Sequence, residues 1–298
     1  MRLATIRTAE GPRVHVRAAM GHVDVARALG DESLADMITL LSAGEDVLER
    51  VRGLAAGDGE TFAEAAFAPP VPQPRKILCL GRNYVEHANE TGHPPSVWPE
   101  VFVRFGTSIT GPYDDILKPA LSDRLDYEGE LGVVIGRGGR YITRERAMDA
   151  IAGFLVLNEG SVRDWQYAAH QYTAGKNFDR TCPMGPELVT TDEVDPGDLA
   201  IETRLNGELM QSGRTSRMIV DVARTVEFIS SFLTLEPGDV IATGTPAGVG
   251  HARKPPVFMK PGDQVEVTIQ GVGTIRNRLV AESEAPVATW GWVPAVVA

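Results

Sequence analysis

The sequence predicts an α+β, strand-rich fold in which a small α+β N-terminal unit precedes a β-rich roll or barrel-like sandwich. Three observations predict it. Gly and Pro are frequent, 31 and 20 in a chain of 298 residues, which marks many turns. Short apolar runs of strand length recur from residue 76 onward, with few long helical patterns among them. Between the two parts lies Pro69-Pro70-Val71-Pro72-Gln73-Pro74, whose prolines favour an extended, semi-rigid linker. The expected division is therefore 1–68, a linker at 69–75, and a larger domain at 76–298.

In the first unit, 3–7 and 13–17 read as two short strands around the turn Glu10-Gly11-Pro12. Ser33 reads as an N-cap before Leu34, Met37, Ile38 and Leu41, which recur at helical spacing, and 45–54 repeats that pattern. In the larger domain, 76–80 is a short apolar strand and 83–91 a breaker-free short helix. The segments 130–135 and 151–157 are strand-like. Asn206-Gly207 between 199–205 and 209–211 is a strong hairpin signal. The clearest amphipathic helix is 221–233, with Val222, Val226, Phe228, Ile229 and Phe232 available for a buried face. Strands at 240–243, 264–269 and 273–279 close the domain. The tail 285–298 carries Trp290, Trp292 and several valines, an apolar stretch expected to pack on the body or on a partner subunit.

A net charge of −11 argues against a nucleic-acid binder, and it means that an anionic substrate needs a local positive site. Two cysteines far apart, Cys79 and Cys182, give neither a disulfide framework nor a zinc pattern; Cys79 sits in an apolar run and reads as a buried thiol. The N-terminus has no apolar stretch of signal-peptide type and no run is long enough for a membrane span, so the cytoplasm is the expected location.

Five short motifs carry chemistry. In Asp126-Tyr127-Glu128-Gly129-Glu130, Glu128 and Glu130 point to one face of a strand, where like charges repel unless a cation lies between them. All-oxygen donors suit Mg²⁺, Mn²⁺ or Ca²⁺, although an isolated pair of this kind is most often a solvated strand face. The run 157–165 ends a strand in Glu159; Glu159 or Asp164 can supply a third ligand, with Asp164 reading better as a helix cap or as the partner of Arg163. In 81–90, a helix would place His87 and Glu90 on one face, the pairing a general base needs, or an ordinary surface ion pair. Lys176, between Gly175 and Asn177, can meet an anion or simply be solvated. The loop 243–250 can aim backbone N–H groups at a carboxylate; it has neither the lysine of a P-loop nor dinucleotide-fold glycine spacing.

Taken together, G-R-N-Y-x-x-H-x-x-E at 81–90, D-Y-E-G-E-L at 126–131, R-D-W-Q at 163–166, G-K-N-F-D at 175–179 and L-E-P-G-D-V-I-A-T-G-T-P-A-G-V-G at 235–250 resemble the fumarylacetoacetate hydrolase family. The N-terminal unit resembles the small extra domain of longer bacterial members. The resemblance implies a mixed β-sandwich roll, a homodimer, and a Mg²⁺ or Mn²⁺ site (Ca²⁺ as an alternative occupant) held by Glu128, Glu130 and Glu159. Glu159 departs from the family's usual aspartate, and Arg104 stands where many members have lysine. The resemblance further implies catalytic roles for His87, Glu90 and Lys176, and substrate contacts from Arg82, Tyr84, Arg104, Lys176 and Thr245. The implied substrate is a 2-oxo acid. The implied reaction is metal-dependent hydrolysis of a C–C bond in a 2,4-dioxo acid of acylpyruvate or fumarylpyruvate type, with His87 activating water and an enolate leaving. Decarboxylation of an oxaloacetate-type acid, and isomerisation or hydration of a 2-hydroxymuconate-type acid, are alternatives on the same site. A non-catalytic 2-oxo acid binding protein is the contrasting expectation, motivated by Glu159.

Overall fold

The computed structural model describes residues 1–92, 96 and 98–284; the tail expected to pack at 285–298 lies outside them. Among the described residues the architecture is mixed and strand-rich, as expected. Its centre is a sheet of eleven strands. Its main path runs His22–Asp24, Gly11–Arg17, Arg2–Thr8, Cys182–Thr190, Ile151–Asn158, Gly129–Ile135, Val240–Ala242, Ile77–Gly81, Glu100–Arg104. A second, five-stranded sheet runs Glu208–Arg214, Ala200–Leu205, Gln264–Ile269, Gly273–Ala281, Ile116–Lys118.

Strand Gly129–Ile135 is buried along its whole length because both faces of the sheet are covered. Leu131, Val133 and Ile135 pack with helix Val222–Phe232 and with Val267 and Ile275 of the second sheet. Val134, on the opposite face, shares an apolar cluster with Leu3, Val16, Met37 and Leu40 of the N-terminal unit and with Leu155. The Pro-rich stretch at 69–75 crosses between the two parts with Val71 buried and the Thr5 hydroxyl donating to the Pro70 carbonyl at 2.7 Å. Strand Arg2–Thr8 pairs antiparallel with Cys182–Thr190, so the sheet is continuous across that stretch.

Several local expectations change. Ser33 does not cap the first long helix; it lies in a 3-10 turn, Glu32–Ala35, capped by Asp31. Asp36 then caps helix Met37–Ser42 by accepting from the Thr39 N–H at 2.8 Å, so two acidic caps split the expected helix. Phe232 stays half exposed instead of joining the buried face of its helix. The hairpin turn has positive φ at both Asn206 and Gly207, as its dipeptide requires. Cys79 and Cys182 are both buried free thiols.

Candidate metal centre

Strands Gly129–Ile135 and Ile151–Asn158 are antiparallel neighbours, with Gly129 opposite Asn158 and Glu130 opposite Leu157. The start of one strand therefore meets the end of the other, and this brings Glu128, Glu130 and Glu159 together. Two backbone links fix the corner. The Glu128 N–H donates to Asn158 Oδ1 at 2.8 Å, and the Glu159 N–H donates to the Glu128 carbonyl at 2.8 Å. All three carboxylates are buried, and one oxygen from each lies within 4.8 Å of the others.

Cations surround them. Lys176 Nζ reaches Glu128 Oε2 at 2.7 Å and Glu159 Oε2 at 2.9 Å, and lies 5.0 Å from the Phe102 ring centroid. Arg163 reaches Glu128 Oε1 at 2.6 Å and Asp126 Oδ2 at 2.8 Å. Arg104 donates from Nε to Glu159 Oε1 at 2.9 Å. The Gly244 N–H donates to Glu130 Oε2 at 2.7 Å. Burial drives the Glu128 carboxyl upward, but Arg163 and Lys176 outweigh it and hold that group below the usual carboxylate range. Glu130 goes the other way: burial, then the charges of Glu159 and Glu128, push its carboxyl well above that range. Lys176 is raised because Glu128 and Glu159 together outweigh its desolvation.

A divalent cation fits this corner. Asp126, Glu128, Glu130 and Glu159 are four buried carboxylates facing three buried cations, Arg104, Arg163 and Lys176. The excess is negative, the donors are hard oxygens, and among the described residues Glu130 has no side-chain cation of its own.

The other expected residues divide. His87 and Glu90 lie on helix Val85–Glu90, with His87 Nδ1 donating to Glu90 Oε1 at 2.8 Å. The second Glu90 oxygen accepts from the Gly248 N–H at 2.9 Å, so the glycine loop holds the pair in place. His87, Arg82, Lys176 and Thr245 line one pocket with the three glutamates. Thr245 accepts from Gln211 Nε2 at 2.7 Å and donates to the Gly129 carbonyl at 3.0 Å, which ties the loop to the strand carrying Glu130. Arg82 pairs with Glu100.

Tyr84 and Arg104 do not line that pocket. Tyr84 points into the apolar core, where burial and the nearby Glu130 push its phenol upward. Arg104 is fully buried, bonded to Glu159 and to the Gly160 carbonyl. Asp164 is exposed and accepts from the Ser122 hydroxyl at 2.6 Å; it neither joins the carboxylates nor pairs with Arg163. Sequence reasoning missed Arg163 and Gln166, which line the pocket and are bonded to each other at 2.9 Å. The R-D-W-Q motif contained both, yet helical spacing alone cannot say that Arg163 turns inward to Asp126 and Glu128.

Fold and site together define an enzyme whose pocket is lined by three buried carboxylates. The chain belongs to the fumarylacetoacetate hydrolase family: residues 76–280 match the family model described as fumarylacetoacetate (FAA) hydrolase C-terminal. The members of this family are metal-dependent enzymes. The human mitochondrial oxaloacetate tautomerase FAHD2A is 41% identical over 288 residues, covering 94% of this chain and 92% of its own. The oxaloacetate tautomerase YisK of Bacillus subtilis is 43% identical over 225 residues, 74% of each chain. Among solved structures, the fumarylacetoacetate hydrolase of Exiguobacterium antarcticum superposes with a TM-score of 0.84 at 36% identity, covering 95% of this chain and 100% of its own. The maleylpyruvate hydrolase of Sphingobium sp. SYK-6, in complex with manganese(II) and pyruvate, has a TM-score of 0.78 at 30% identity over 94% of this chain and 99% of its own. No helix among the described residues is long and apolar enough to cross a membrane.

Proposed function

We propose that this enzyme acts on short 2-oxo acids through their enol form, and that its main reaction is keto–enol interconversion of an oxaloacetate-type diacid. The observation that carries the reading is the His87–Glu90–Gly248 chain of hydrogen bonds, which ends in the pocket formed by the three glutamates. Glu128, Glu130 and Glu159 would hold Mg²⁺ or Mn²⁺. Such an ion, when bound, stabilises negative charge building on the 2-oxo oxygen. Glu90 fixes the tautomer of His87 by accepting from Nδ1, which leaves Nε2 to take a proton from C3. The C3–H electron pair becomes the C2=C3 bond, the C2=O π pair moves onto the 2-oxygen, and that oxygen takes a proton from solvent while His87 gives the proton it accepted back to solvent. Lys176 holds the carboxylate end beside the centre, and Arg82 meets the distal carboxylate of a diacid. The tautomerase names of relatives matching up to 94% of this chain support the choice of substrate.

A second reading, hydrolytic C–C cleavage of a 2,4-dioxo acid, is favoured by the same histidine, since a base held by a carboxylate can equally activate water. The maleylpyruvate hydrolase likeness points the same way. The two readings separate on products. With Mn²⁺, tautomerisation changes the enol absorbance of oxaloacetate with no loss of carbon, whereas hydrolysis releases pyruvate from an acylpyruvate. His87→Ala should lower either rate by about 10²–10⁴-fold. Retention of full tautomerase activity in that variant, or activity unchanged after metal chelation, would sink the proposal.

A further inference from the structure

The loop that follows strand Val240–Ala242 gives backbone N–H groups to three separate carboxylates. Gly244 donates to Glu130 at 2.7 Å, Gly248 to Glu90 at 2.9 Å, and Gly250 and His251 to Asp126 at 2.8 and 2.9 Å. Glu130 belongs to the carboxylate centre, Glu90 is the partner of His87, and Asp126 anchors Arg163. One loop therefore sets where the base lies relative to the centre.

The loop itself rests on the second sheet. Strand Glu208–Arg214 runs along it and leaves no room for a side chain at two points. A Cβ on Gly213 would lie 2.4 Å from Pro246 Cβ, and a Cβ on Gly248 would lie 2.3 Å from the Met210 carbonyl oxygen. Gln211 stands on the same strand, with its side chain buried. Its Oε1 accepts from the Gly129 N–H at 2.9 Å, and its Nε2 donates to the Thr245 hydroxyl at 2.7 Å and to the Pro246 carbonyl at 2.8 Å. The Thr245 hydroxyl donates on to the Gly129 carbonyl at 3.0 Å, which closes a ring through the residue between Glu128 and Glu130. A backbone N–H only donates and a carbonyl only accepts. The ring therefore needs one neutral group that is both acceptor and double donor, which a carboxamide supplies.

We infer that Gln211 is a positioning residue for the reaction: from the second sheet it locks the loop to Gly129, and so fixes the His87–Glu90 base against the carboxylate centre. The inference rests on the reading of that site given above. Gln211 does not line the pocket, so it acts only through the groups it holds. Losing it frees the loop at Thr245 and Pro246, between the N–H that meets Glu130 and the N–H that meets Glu90. A small displacement there moves a base away from its proton, which costs rate more than it costs substrate binding.

The test is Gln211→Met, which keeps the length of the side chain and removes its hydrogen bonds. At saturating Mn²⁺, kcat for oxaloacetate tautomerisation should fall about 10–100-fold with KM within about threefold of the wild type. KM holds because Lys176 and Arg82, assigned to the two ends of the substrate, lie outside the loop. Mn²⁺ affinity, read by electron paramagnetic resonance, should fall about tenfold as Glu130 loses its fixed orientation. A variant that melts lower but keeps either kcat or Mn²⁺ affinity within about threefold of the wild type would overturn the inference, and so would a loss carried by KM. Hydrogen exchange on the wild type needs no variant to fold. The N–H groups of Gly129, Gly244 and Gly248 should be protected to within about tenfold of one another, and a loop that opens more readily than that would also overturn it. A wild type with no tautomerase activity would overturn the reading beneath, while Mn²⁺ affinity and exchange would still decide whether Gln211 places the loop.

Discussion

Lys176 Nζ lies within 2.9 Å of two buried carboxylates, and no neutral side chain can replace it without leaving those charges uncompensated. Lys176→Met should reduce kcat/KM by about 10²-fold or more, checked by steady-state kinetics with Mn²⁺ present. Glu130 carries the opposite consequence. Its carboxyl is raised by burial and by its acidic neighbours, so its proton is held more tightly than that of an ordinary carboxyl. A bound cation must displace that proton, which makes apparent Mn²⁺ affinity fall as pH falls. Calorimetric Mn²⁺ titrations over a series of pH values should show affinity falling as pH falls; an affinity independent of pH would contradict the raised carboxyl. Part of this chemistry was legible in the sequence. The spacing of Glu128 and Glu130 placed both on one face, but spacing could not distinguish a solvated face from a buried one. Nor could it choose between Glu159 and Asp164. That choice depends on where strand Ile151–Asn158 ends, and the strand ends one residue before Glu159.

At the scale of elements, the short helix Thr173–Lys176 is held against helix Arg163–Tyr167 so closely that a Cβ on Gly175 would lie 2.3 Å from the Gln166 nitrogen and 2.5 Å from its Cα. Both neighbours are backbone or its first carbon and cannot swing aside. Gly175→Ala should move the helix carrying Lys176, lowering stability by about 1–3 kcal/mol and activity by about 10²-fold. Thermal melts and kinetics check this. Gly53→Ala, in helix Glu45–Leu54 with nothing within 4 Å, is the matched control and should be stabilising by at most about 1 kcal/mol. Elements with a single clear period, such as Val222–Phe232 and the Asn206-Gly207 hairpin, could be read directly. Cys182–Thr190 could not. It is a nine-residue strand in the middle of the sheet, yet it contains Pro183, Gly185 and Pro186. Its pairing with Ile151–Asn158 slips between Phe154 and Val156, and this irregularity accommodates residues that ordinarily rule out an interior strand.

For the whole molecule, the N-terminal unit is joined to the rest by more than its connecting stretch. Leu3, Val16, Met37 and Leu40 share one cluster with Val134, Leu155 and Val240, on the sheet that carries the carboxylates. We propose that residues 1–68 are an integral support of the 76–298 domain. A fragment beginning at residue 76 would expose that face and the free edge of Cys182–Thr190. It should aggregate or elute as broad high-mass species in size-exclusion chromatography. A sharply melting, monodisperse fragment would show that the two parts are separable. The Pro-rich stretch stood out in the sequence, but the shared core did not, because no local pattern reveals that Leu3 pairs with Leu188.

That last pairing also has a temporal side. Strand Arg2–Thr8 leaves the ribosome some 180 residues ahead of its partner Cys182–Thr190. At about 5–20 residues per second the strand waits on the order of 10–40 s, with hairpin partner Gly11–Arg17 on one side and, on the other, only the two-residue strand Phe67–Ala68 against Thr5 and Ile6. The earlier-made of the two strands is thus completed late, and during that interval the nascent protein depends on whatever shields a partly paired strand in the cell.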